Sequence, residues 1–326
     1  MSMTETMDAK PARDPGPELA EAPLHIARPK EPVTGVVTRN ELCTAGRRAA
    51  GFVRHIEIDV SSTPLAGSFV PGQSFGVHAP GEDERGRPHA LRLYSTASPS
   101  IGEDGKGGVI ATTVKRLIDE RDDGPGLFVG VTSNYLCSLQ PGDEVKLSGP
   151  NGKRFVLPAR PGDHDYVFFA TGTGIAPFRG MVLDLIREAP ESKVALVMGA
   201  PYETDLIYDD LFSKLDEEHP NFTYLPTISR HAQRDASPGC YVQDRLDRDA
   251  GTLIPLLQSD RGLIYVCGLL GMDVGIVQGL ARSMPEPWLS RYLAIDPEVA
   301  DDASSWTRKM IGRKVKPTRR VFLEVY

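Results

Sequence analysis

Arg92, Leu93, Tyr94 and Ser95 place three binding chemistries in four consecutive residues. The arginine offers a planar, permanently charged fork suited to a pyrophosphate. Tyr94 offers a flat ring, and Ser95 offers a hydroxyl. Their i, i+2 spacing sets Arg92 and Tyr94 on one side of a strand. Many strands contain such residues, so the string alone is weak. Four further segments follow in order: Val114-Lys115-Arg116-Leu117, then Gly130-Val131-Thr132-Ser133-Asn134-Tyr135-Leu136, then Thr171-Gly172-Thr173-Gly174-Ile175-Ala176-Pro177-Phe178-Arg179, then Tyr265-Val266-Cys267-Gly268. The chain closes on Glu324-Val325-Tyr326.

The glycine run after Ala170 ends an apolar strand and begins a helix. Backbone N–H groups at such a helix start, with the positive end of the helix dipole, favour a phosphate. Glycines also let the backbone come close to it. The run lacks the full dinucleotide fingerprint, so read alone it is equally an ordinary strand–helix turn.

Taken in order and spacing, the segments resemble the plant-type ferredoxin–NADP⁺ reductases, from about Pro29 to the last residue. The resemblance implies that Arg92 pairs with FAD phosphate, that Tyr94 covers one face of the flavin ring with Leu93 beside it, and that Ser95 hydrogen-bonds near flavin N5. Val131, Thr132 and Ser133 would help hold the FAD pyrophosphate, with Thr132 standing where relatives often have cysteine. Thr113, Val114 and Lys115 would line the cofactors, Lys115 near NADP phosphate. Thr171, Gly172, Thr173 and Gly268 would flank the nicotinamide half of NADP(H). Ser229 and Arg230 would take the adenosine 2′-phosphate, and Tyr241 would stack on its adenine. Ser95, Cys267, Glu324 and Tyr326 are the expected catalytic group: Cys267 positions nicotinamide, Glu324 relays protons, and Tyr326 covers the outer flavin face as a movable lid. No metal site is expected. Two departures stand out. Asp119 occupies a position where relatives often stack a tyrosine on the FAD adenine, and aspartate cannot stack. Gly239 replaces a lysine common two residues before Tyr241, with Arg234 a possible substitute.

Composition sets the bounds. At 326 residues, two domains are the prior. Hydrophobic content of 40% and charged content of 25% fit a soluble globular chain. A net charge of −7 argues against general nucleic-acid affinity. Cys43, Cys137, Cys240 and Cys267 are scattered, giving neither an iron–sulfur ligand set nor a disulfide framework. The electron partner, ferredoxin or flavodoxin, is therefore expected as a separate protein. No apolar run is long enough to span a membrane. Residues 1–28 are proline-rich and acidic without a signal-type apolar core, so a disordered extension and a cytoplasmic location are expected. Lys153 with Arg154, and the cluster Arg308, Lys309, Arg313, Lys314, Lys316, Arg319 and Arg320, are candidate contacts for an acidic partner or simply solvated faces.

The elements that must position these residues change character near Arg160. Before it, short alternating strands separated by Pro-Gly turns (Pro71-Gly72, Pro80-Gly81, Pro141-Gly142) predict an antiparallel β-barrel. After it, continuous apolar runs such as Tyr166-Val167-Phe168-Phe169-Ala170 alternate with helical stretches, which predicts a parallel sheet covered by helices. The expected plan is thus an FAD-binding β-barrel domain over 29–160 and an NADP(H)-binding α/β domain over 161–326, with 295–319 an insertion of no derived role. The expected activity exchanges single electrons with ferredoxin or flavodoxin and hydride with NADP(H). A reductase feeding an oxygenase and a non-catalytic assembly subunit are the alternatives.

Overall fold

Ile56 and Ile58 are fully buried while Glu57 and Asp59 alternate with them outward, the two-residue period of a strand with one face to bury. A computed structural model describes residues 16–44, 49, 51–121 and 124–326. In it the first strands are β1 (Val33–Leu42), β2 (Val53–Asp59), which carries this pattern, β3 (Ser74–His78), β4 (Arg92–Ser95) and β5 (Val109–Lys115). A small hairpin of β6 (Ile118–Glu120) and β7 (Leu127–Val129) follows, then helix α1 (Val131–Ser138) and β8 (Glu144–Asn151). Six strands form one antiparallel sheet in the order β4-β3-β8-β1-β2-β5. Val37, Ile56, Ile58, Phe75, Val77, Ile110, Val145 and Leu147 fill its interior, and α1 closes one end with Leu136 and Cys137. The sheet curls until its edges meet just beyond β4, where Thr96 bridges Thr112 and the Ala97 amide donates to Ala111 at 2.7 Å. The result is barrel-like, with a single bridge at the seam in place of a full ladder.

Residues 16–28 depart from the expected disorder. The Ala20 amide donates to Leu157 at 3.0 Å, Ala159 to Glu18 at 2.9 Å, His25 to Pro150 at 2.9 Å and Ala27 to Gly149 at 2.9 Å. The backbone from Gly149 to Ala159 needs hydrogen-bond partners, and this segment supplies them. Its composition hid that, because the stabilising groups are main-chain atoms. Residues 1–15 of the expected extension lie outside the described residues.

The second half begins with β9 (Asp165–Thr171), followed by α2 (Ile175–Glu188), β10 (Val194–Ala200), α3 (Asp209–Glu218) and β11 (Phe222–Ile228). It continues through α4 (Arg245–Arg248), α5 (Ala250–Leu257), β12 (Gly262–Gly268), α6 (Met272–Ser283), α7 (Trp288–Tyr292), the short strands β13 (Leu293–Ile295) and β14 (Val315–Pro317), and β15 (Val321–Val325). The five-stranded sheet runs β11-β10-β9-β12-β15, every pair parallel. β10 and β12 are buried at every residue, as strands covered on both faces must be. Two separate apolar layers do the covering, one with α2 and α3 and the other with α5 and α6. Phe168 of β9 stacks on Phe178 of α2 with ring centroids 4.9 Å apart.

The 295–319 stretch belongs to this second layer. Trp306 is buried, its indole donates to Val299 at 2.7 Å, and the Gln278 side chain on α6 donates to the Trp306 carbonyl at 3.0 Å. Several of its cations are engaged within the fold: Arg308 pairs with Asp273 at 2.9 Å and Lys314 with Glu298 at 2.7 Å. Arg320 donates to the carbonyls of Asp260 and Gly262.

Candidate functional site

Chain order decides where a ligand can enter. From β9 the sheet grows outward through β10 to β11, then crosses back so that β12 lies on the other side of β9. Such a reversal opens a crevice beyond the carboxyl ends of the strands. A cavity of about 480 Å³ occupies that position. Its floor carries Thr171, Gly172 and Thr173 after β9, Ser229 and Arg230 after β11, Tyr241, and Tyr326 at the end of β15. Its roof comes from the barrel, through Thr44, Gly51, Val53 and Lys115. Eight residues singled out from the sequence therefore converge on one space between the two halves. Pro201, Asp205, Ile207, Gln243 and Met272 also line it and carried no sequence signal.

The floor is held tightly. Gly268 has φ 144°, and a Cβ there would lie 2.2 Å from the Thr171 hydroxyl, so only glycine fits. Thr171 Oγ1 accepts from the Leu269 amide at 2.9 Å, tying the end of β9 to the end of β12. The Tyr326 amide donates to the Gly268 carbonyl at 3.0 Å, and the Tyr326 hydroxyl meets Thr173 Oγ1 at 2.8 Å. Tyr326 as a residue is 55% exposed, and it lines the cavity at its rim.

Cys267 and Glu324 are direct partners across β12 and β15. Burial, aided by the nearby Glu324 charge, pushes the Cys267 thiol far above its ordinary range. It stays protonated at neutral pH, which fits a packing or positioning group and not a nucleophile. Burial also raises the Glu324 carboxyl. A raised carboxyl costs nothing below its unfolded pKa, about 4.3, because both states are then neutral. As pH climbs through the interval up to the raised folded value, the unfolded chain ionises first and stability is lost. Glu324→Gln should therefore change Tm least below the unfolded pKa and raise it increasingly as pH climbs above that value. A pH-independent Tm difference in thermal melts would contradict this.

A second face lies on the barrel. β4 is the edge strand of its sheet, with Arg92 exposed, Leu93 57% exposed, and Tyr94 and Ser95 half-buried. Tyr94 packs against the barrel core, and burial lifts its phenol to about 12. Tyr94 packs on the same apolar cluster to which Cys137 of α1 belongs. The start of α1 carries no side-chain cap and no acidic residue in its first turn. The amides of Val131, Thr132 and Ser133 there lack intrahelical partners, the arrangement a pyrophosphate requires. The Ser133 hydroxyl receives the Leu117 amide at 3.3 Å and itself donates to the Gly130 carbonyl at 3.3 Å, fixing the hairpin base to the helix. An edge arginine, a half-buried ring, exposed apolar side chains and an uncapped helix start together fit a flavin dinucleotide.

Three expected contacts find other employment. Thr113 Oγ1 is 2.6 Å from the Tyr208 hydroxyl, and His55 Nδ1 approaches the same oxygen at 2.7 Å. Thr113 thus joins barrel to α/β half through its side chain, while the Val114 side chain lies in the barrel core. Arg234 is bonded to Glu203 at 2.8 Å and paired with Asp209, and it does not line the cavity. Among the described residues, His55, Glu57 and Glu103 group closely enough for a metal ion. Arg39 sits 3.2 Å from Glu57, and Arg179 donates to Glu103 at 3.0 Å, so guanidinium charge is already in place.

Comparison with known proteins agrees with this geometry. Residues 168–278 match the family described as the oxidoreductase NAD-binding domain. The chain is 40% identical over 255 residues to the leaf-type chloroplastic ferredoxin–NADP reductase of Nicotiana tabacum, covering 76% of this chain and 69% of that one. It is 36% identical over 270 residues to the ferredoxin–NADP reductase of Spirulina, covering 81% and 90% respectively. In fold it superposes on a ferredoxin–NADP⁺ reductase of Plasmodium falciparum with a TM-score of 0.67 at 20% identity, over 92% of this chain and 98% of that one. On these grounds the chain belongs to the ferredoxin–NADP⁺ reductase family.

Proposed function

We propose that the chain is an FAD-dependent ferredoxin–NADP⁺ reductase, exchanging electrons one at a time with ferredoxin or flavodoxin and hydride with NADP(H). The observation that carries this reading is the single cavity joining Lys115 of the barrel to Thr171, Gly172, Thr173, Ser229, Arg230, Tyr241 and Tyr326 of the α/β half. Flavin and nicotinamide supply the redox chemistry when bound, and the protein supplies position. Arg92 and the first-turn amides of α1 would hold phosphate, and Tyr94 would floor the ring. Thr171, Gly172 and Thr173 would seat the nicotinamide end, with Cys267 setting its depth and Tyr326 excluding water until displaced. Glu324, whose carboxyl burial pushes up, would be the acidic group beside that point.

Among the described residues no helix is long and apolar enough to cross a membrane. Cytoplasmic operation with a separate carrier protein belongs to the proposal. Exposed Lys153 and Arg154 are the candidate contacts for an acidic carrier on the barrel side. The purified protein should be yellow, release FAD on denaturation, and reduce ferricyanide with NADPH far faster than with NADH. It should also pass electrons from NADPH to cytochrome c only when ferredoxin or flavodoxin is added. A colourless folded protein, or one lacking NADPH-dependent ferricyanide reduction, would refute the assignment.

A further inference from the structure

The β6–β7 hairpin presents apolar side chains to solvent: Ile118, Leu127, Phe128 and Val129 are 53%, 63%, 51% and 49% exposed. Leaving a phenyl ring half in water is costly unless a ligand covers it. This hairpin runs directly into α1, because Val129 is followed by the N-cap Gly130 and the helix begins at Val131. A dinucleotide phosphate at the open amides of Val131, Thr132 and Ser133 carries a ribose and a base beyond it. Three strand residues span roughly 10 Å, so Phe128 stands about a ribose and a base away from those amides. The other exposed aromatic residues among those described lie elsewhere: Tyr241 and Tyr326 line the interdomain cavity, Phe52 precedes β2, and Tyr202 follows β10.

Register fixes which face is concerned. Asp119 and Phe128 are direct partners in the antiparallel pair, so their side chains project from the same face. Asp119 turns its carboxylate back to accept its neighbour Glu120's amide at 2.8 Å, which leaves that face to the phenyl ring. Leu127, paired with Glu120, points to the opposite face.

We propose that Phe128 is the platform on which the adenine of the bound flavin dinucleotide stacks. The aromatic surface that position 119 does not provide is supplied by its cross-strand partner. Phe128 is then the residue that distinguishes FAD from FMN, which has no adenine. The proposal rests on the flavin reading above, and the test separates the two.

Full-length protein with its flavin is equilibrated with known mixtures of FAD and FMN, desalted, and the retained flavins are released and separated by chromatography. Phe128→Ala should lower the preference for FAD over FMN roughly tenfold, the usual worth of one stacked base. Phe128→Tyr should keep the preference, as should Leu127→Ala on the opposite face. Adding Asp119→Tyr to Phe128→Ala should restore it, because the two positions share a face. An unchanged ratio in Phe128→Ala, or an equal fall in Leu127→Ala, overturns the proposal while flavin binding itself stands. A wild-type protein that retains neither flavin overturns the flavin reading and this inference together.

Discussion

Alanine in place of Tyr326 should tighten NADP(H) binding by roughly tenfold and slow turnover. The side chain is anchored at its hydroxyl to Thr173 at 2.8 Å, and its backbone is pinned on both sides, by the Gly268 carbonyl and the Leu270 amide, each at 3.0 Å. The ring therefore has a defined resting place at the rim of the cavity. Nicotinamide seated over Thr171 and Gly172 would have to displace it. Giving up the hydroxyl contact costs about 0.5–1.5 kcal/mol, and giving up the ring's packing costs about as much again. Removing the ring removes that competition, so NADP⁺ should bind more tightly. Tighter product also leaves more slowly, and kcat should fall wherever release limits turnover. Tyr326→Phe keeps the ring and loses only the Thr173 contact, so it should lie between wild type and alanine. Difference-spectrum titration with NADP⁺ and steady-state kinetics with ferricyanide measure the two effects. Unchanged affinity and turnover in Tyr326→Ala would remove Tyr326 from any gating role.

Much of this arrangement could be read in the sequence, and the reasons are local. The apolar runs at β9, β10 and β12 announce strands covered on both faces, and the glycines after β9 announce a tight turn into α2. Those signals lie within a few residues of one another, so they survive without knowledge of the fold. What could not be read depends on pairing between distant segments. Thr113 occupies a cofactor-rich stretch, yet its hydroxyl is used by Tyr208, which comes 95 residues later. Tyr208 reaches it from an αL backbone (φ 61°) just ahead of α3, a conformation that no composition rule predicts for tyrosine. The order of residues 16–28 was hidden for a similar reason, since their partners are carbonyls and amides near residues 149–159. Arg234 looked available because Glu203 and Asp209, which hold it, stand 31 and 25 residues away.

That last contact bears on nucleotide choice and gives the second large effect. Replacing Arg230 with alanine should raise KM for NADPH by roughly 10- to 100-fold and change KM for NADH by less than about twofold, the signature of a contact made only to the 2′-phosphate. Arg230 follows β11 directly, its amide donates to the Pro201 carbonyl at 2.9 Å, and it lines the cavity beside Ser229 and Tyr241. Positions 234 and 239, the alternatives for that phosphate, are excluded from the same task. Arg234 is committed to two carboxylates outside the cavity. A Cβ at Gly239 would come within 2.8 to 3.3 Å of the backbone carbonyls of His231, Ser229 and Ile228, so a longer side chain there would force the main chain apart. A planar guanidinium matches phosphate oxygens in pairs, and hydrogen bonds to a charged group contribute about 1.5–3 kcal/mol, which sets the expected range. Arg234→Ala is the matching control, with KM for NADPH left as in the wild type. Equal losses for NADPH and NADH in Arg230→Ala would instead assign Arg230 to the shared part of the nucleotide. A rise in KM for NADPH in Arg234→Ala would show that Glu203 and Asp209 release it when the nucleotide binds.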